Sequence, residues 1–70
     1  DNTADNSSIY SEGRNIILTG LKGVQVTVYS LDGKTITNAS LHTDYEVIPM
    51  QHTGCDLVHT EKGVTKVLVK

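Results

Sequence analysis

An amphipathic helix needs a sustained run of apolar residues three and four positions apart, and glycine interrupts this chain too often to sustain one. It offers period two instead. In VQVTV, Val24, Val26 and Val28 fall on one face of an extended backbone and Gln25 and Thr27 on the other. NIIL sets Ile16 and Leu18 against Ile17, and TKVLV sets Thr65, Val67 and Val69 against Lys66, Leu68 and Lys70. KTITNA, YEVI and DLVHT are weaker runs of the same kind. Turn chemistry separates the runs: Gly13 in SEGRN, Asp32-Gly33 in SLDGK and Gly63 in TEKGV each mark a tight reversal. Gly20 and Gly23 mark a looser connection, and Pro49, which has no N–H to donate, is read as the start of a crossing loop. The pattern predicts six to seven short strands. The linkers are too short for the crossovers of parallel pairing, so the sheets are antiparallel. Two facing sheets are the economical way to bury two aliphatic rows. The expected fold is all-β, a small antiparallel β-sandwich of immunoglobulin-like appearance, with a small barrel as the alternative.

Seventy residues make one domain. A chain of this size buries only about 60% of its unfolded surface. With no Trp, no Phe and three Tyr, the core has to be aliphatic. A deep, water-excluding cleft is not expected, so the chain is read as non-catalytic. Its six Lys and Arg residues are scattered and do not interleave with aromatics, which excludes a nucleic-acid surface. No apolar run approaches the roughly 20 residues of a membrane-spanning helix.

Metal and nucleophile chemistry find little to work with. His52, Cys55 and His59 are spaced by three and four, yet no second pair completes a tetrahedral site, so neither a metal nor a cofactor is expected. Cys55 is the single cysteine, open only to an intermolecular disulfide. It is otherwise a half-buried strand-end residue. Asp32, Asp44, Glu46 and Glu61 fall at turns or on polar strand faces and are read as solvated charge. The triplets at Asn6 and Asn38 match a glycosylation pattern too short to carry weight.

VQVTVYSLDGKTI resembles the Val-x-Val-Tyr-x-x-x-Gly-x-x-Val hairpin of the C-terminal signal domains of type IX secretion cargo. Val26, Val28, Tyr29, Gly33 and Ile36 carry the match. TGCDLVHTEKGVTKVLVK is similar to the second block of that family, through Gly54, Leu57, Val58, Gly63, Lys66, Val67, Val69 and Lys70, and IYSEGRNI looks like its opening hairpin. The family usually carries Tyr two residues after the Gly. Asp56 stands there in this chain, forfeiting packing worth about 1–3 kcal/mol.

The resemblance implies a β-sandwich over residues 9–70, with residues 1–8, DNTADNSS, as the linker from an upstream cargo, a secreted protease or adhesin. It further implies passage through the periplasm of a Gram-negative bacterium and recognition by an outer-membrane translocon. A sortase-like cysteine peptidase then removes the domain at the cell surface. Lys66, Val67, Leu68, Val69 and Lys70 are the expected recognition strand, and a homodimer through that strand or Cys55 is a further expectation. A carbohydrate-binding or adhesion module, using Tyr10, Tyr29 or Tyr45, is the alternative reading.

Overall fold

The computed structural model describes residues 7–70; the expected linker lies mostly outside the described residues, and Ser8 already belongs to a strand. Seven strands follow in order: β1 Ser8–Glu12, β2 Asn15–Thr19, β3 Gln25–Ser30, β4 Thr35–Ser40, β5 Tyr45–Pro49, β6 Gly54–Thr60 and β7 Gly63–Val69. They form two antiparallel sheets, β1-β2-β5 and β4-β3-β6-β7, with no hydrogen-bonded ladder between them among the described residues. The sandwich is therefore open, and the barrel is excluded. Hairpins join β1 to β2, β3 to β4 and β6 to β7, while the other three connections cross between sheets. This is the Greek-key order of an immunoglobulin-like sandwich in which the fourth strand pairs with the third. No helix of the described residues is long and apolar enough to cross a membrane.

Alternation places the core. Ile16 and Leu18 of β2 face Val26 and Val28 of β3, Val58 of β6, and Val67 and Val69 of β7. Leu21, Leu41 and Met50 close the ends from the connecting segments. Ile17 points the other way yet is only 2% exposed. It lies in register between Tyr10 and Val47, and these two half-exposed neighbours cover it.

The turns follow their residues. Gly13 alone has positive φ in the Gly13-Arg14 loop, which fits a type II′ hairpin with glycine at the first central position. In the β3–β4 loop the Gly33 N–H donates to the Ser30 carbonyl at 3.0 Å and the Ser30 N–H to the Lys34 carbonyl at 2.8 Å. With φ near 90° at Gly33, this is a type I turn closed by a glycine bulge. The Ser30 hydroxyl donates to Asp32 and is the main cause holding that carboxyl below its ordinary value.

Two sequence expectations change. Pro49 closes β5 rather than beginning a loop: it pairs with Asn15 at a sheet edge, where its missing donor faces no partner strand. Glu46 is not merely solvated charge. Half-buried on the strand face it shares with Ile48, it bends to the preceding loop at the surface, where its Oε2 accepts the His42 and Thr43 N–H groups, both at 3.0 Å, and the Thr43 hydroxyl at 3.1 Å. The His42 N–H foremost, then Thr43, holds the Glu46 carboxyl below its ordinary 4.5. With the folded value lowered, this brace is complete above about pH 4.5 and lost as pH falls through the lower folded value. In an NMR titration the His42 and Thr43 amide resonances are expected to move with a midpoint below 4.5, and Glu46→Gln to abolish that step. A midpoint at or above 4.5 would contradict the brace.

Candidate functional site: the outer face and free edge of β7

β7 is a sheet-edge strand, paired only with β6. Residues Glu61 and Lys62 form the hairpin loop, so Thr60 and Gly63 are the closing hydrogen-bonded pair. From that pair the ladder alternates. Gly63, Thr65, Val67 and Val69 aim their backbone groups at β6, whereas Val64, Lys66 and Leu68 aim theirs off the edge. A side-chain bond agrees with this assignment: the Ser11 hydroxyl of β1 donates to the Leu68 carbonyl at 2.5 Å. Leu68 thus has its edge acceptor occupied, while Val64 and Lys66 face no strand on that side among the described residues.

Side chains divide the expected recognition strand in two. Val67 and Val69 are buried at 4% and 1% and belong to the core. Lys66, Leu68 and Lys70 are exposed, with Leu68 at 49%. On the outer face Leu68 lies beside Cys55, Lys66 beside Leu57, and Val64 beside His59. Tyr29 continues the Lys66–Leu57 row on β3, and its ring meets the His59 ring edge-on with centroids 6.3 Å apart. The result is a mixed apolar and cationic strip bordered by a free edge.

The motif residues take distinct places. Val26 and Val28 are core, Tyr29 is on the outer strip, Gly33 makes the β3–β4 turn, and Gly54 and Gly63 open β6 and β7. Cys55 is half-buried and free. Tyr10 and Tyr45 stand exposed on the outer face of the other sheet, away from β7.

The chain also buries one acid that sequence reading treated only as a missing aromatic. Asp56 faces inward from β6 at 1% exposure. From the β5–β6 loop, His52 reaches back and sets Nε2 3.0 Å from each carboxylate oxygen. His59 takes no part in this pair, and the described residues hold no group of three or more His, Cys, Asp or Glu placed to bind a metal. The only advance signal was parity, since Asp56 shares its strand face with Val58.

No family model, curated protein or solved structure matches the chain.

Proposed function

We propose that this domain is a non-catalytic secretion signal. In this reading it directs an upstream cargo, a protease or adhesin, from the periplasm through the type IX outer-membrane translocon, and a sortase-like peptidase removes it at the cell surface. The observation that carries the proposal is the ordered pair of motif blocks, VQVTVYSLDGKTI and TGCDLVHTEKGVTKVLVK, on a β-sandwich whose β7 presents Lys66 and Leu68 outward, with exposed Lys70 directly after it. A translocon subunit reads those three side chains together with the strand edge. The lysines also discourage indiscriminate edge-to-edge pairing. Cys55, beside Leu68, is the thiol through which two copies would join in an oxidising compartment.

Deleting residues 66–70 would be a poor test, because it removes two core valines along with the recognition surface. The triple variant Lys66→Glu, Leu68→Ser, Lys70→Glu spares the core. Expressed with its cargo, it is expected to melt near the parent temperature and to leave cargo in the periplasm, with surface delivery reduced at least tenfold. Undiminished delivery by a folded triple variant sinks the proposal.

A further inference from the structure

β1 and β7 run in the same direction along one open side of the sandwich. The Ser11–Leu68 bond draws them together at one end, and a small cleft lined by Ile9, Leu21 and Val64 parts them at the other. Each is the edge of its own sheet, and their outward side chains belong to opposite faces of the molecule. On the β1-β2-β5 face Tyr10, Tyr45 and Val47 are exposed, and Glu12 follows Tyr10 along β1. On the other face Val64 and Leu68 are exposed, with Lys66 between them. Among the described strand residues, Glu12 is the only Asp, Glu, Lys or Arg projecting from the first face, and Lys66 the only one from the second. Neither takes part in an ion pair among the described residues, although Arg14 occupies the turn next to Glu12. Each charge also stands two positions from an exposed apolar side chain, Glu12 from Tyr10 and Lys66 from Val64 and Leu68. That spacing is about 7 Å on both strands.

We infer that these two faces pack on one another in neighbouring copies of this chain, the β1-β2-β5 face of one copy on the β3-β6-β7 face of the next. Glu12 then meets Lys66, and Tyr10 rests on one of the apolar residues flanking that lysine. The matched spacing lets both contacts form together, as two sheets pack within a sandwich. Stacking like on like is disfavoured, because it brings together two carboxylates or two ammonium groups without a counter-charge. The contact is therefore heterologous. Each copy keeps one free face, so the stack grows by addition and does not close as a pair. A three-stranded face five residues long covers roughly 14 × 17 Å, about 250 Å² a side. Stable complexes bury about 800 Å² per partner. A single contact is accordingly weak, and it forms at millimolar concentration or where copies are tethered side by side. The strip it covers is the one assigned above to a translocon subunit, so stacked and receptor-bound copies exclude each other. The stacking itself does not rest on the secretion reading.

The test is amide NMR of the full chain from micromolar to millimolar concentration at low salt, with a reducing agent present so that Cys55 cannot join copies. Shifts are expected on both faces at once, at Tyr10, Glu12 and Val47 and at Val64, Lys66 and Leu68, with one common midpoint. High salt should diminish them. Glu12→Lys and Lys66→Glu, both at exposed positions, should each weaken self-association at least fivefold. Mixed in equal amounts, the two variants should recover the parent affinity, because every contact between unlike copies sets opposite charges together. Concentration-dependent shifts on one face only, none up to millimolar chain, parental association by either variant, or a mixture no tighter than its components would overturn the inference. Stacking that persists in the parent while the cellular delivery test fails would refute the secretion reading alone.

Discussion

Leu18→Ala is expected to lose about 2–5 kcal/mol of stability, the cost of emptying a buried leucine site that cannot fully collapse. Leu18 is fully buried on the central strand of its sheet, between Ile9 of β1 and Glu46 of β5, and faces the valines of the opposite sheet. At 0.05–0.15 kcal/mol per residue, a domain of this length holds only about 3.5–10 kcal/mol in total. The loss is therefore a large share of what keeps the domain folded. At roughly 4–8 °C per kcal/mol the melting temperature should fall by about 8–40 °C. Calorimetry or circular dichroism measures this directly. A fall of only a few degrees would show that Leu18 does not fill a closed core. Val64→Ala, at an exposed position of β7, supplies the contrast and should change little.

The second large effect concerns Asp56. A carboxylate has about four lone-pair positions, and among the described residues its side-chain partner is a single imidazole nitrogen. Removing one partner of a fully buried pair costs about 3–5 kcal/mol. The His52 side chain is 42% exposed, so solvent screens part of that cost, and His52→Ala is expected to destabilise by about 1–3 kcal/mol. Asp56→Leu, which keeps the branched skeleton and replaces the buried carboxylate with methyl groups on the Val58 face, should then restore most of that loss in the His52→Ala background. Denaturant unfolding of both single variants and the double variant closes the cycle. If the two effects simply add, with Asp56→Leu as damaging in the His52→Ala background as in the parent, the pair carries no coupling and the inward carboxylate must be satisfied by other means.

Strands with one clean apolar face were legible in the sequence. In β3 the valines alternate with Gln25 and Thr27, and in β7 Val67 and Val69 alternate with lysines, so both core faces could be named in advance. β2 was harder, because Ile17 is apolar on the outward side and its burial depends on Tyr10 and Val47, which only pairing brings beside it. β6 hid its inward acid because Leu57 and Val58 are both apolar, and parity alone did not say which faced the core. Glu46 was misjudged for a related reason: its partners are backbone N–H groups of a loop, invisible to side-chain patterning. The closing strand was legible as a segment, but its division into core valines and an exposed strip needed the facing sheet. Neither the cleft beside Val64 nor the cap on Leu68 could be read from local pattern, since each depends on β1 lying alongside a strand more than fifty positions away.

That neighbouring of β1 and β7 has a mechanical side. Two co-directional strands at a common seam are loaded in shear when tension draws the start of one and the finish of the other apart. Shear resists strongly where a row of amide bonds must break at once. The described residues place no such row here, and the Ser11 hydroxyl on Leu68 bridges the seam by a side chain. Pulled lengthwise, the sandwich would part first along this seam, freeing β1 from β7 while the β6–β7 ladder stays whole.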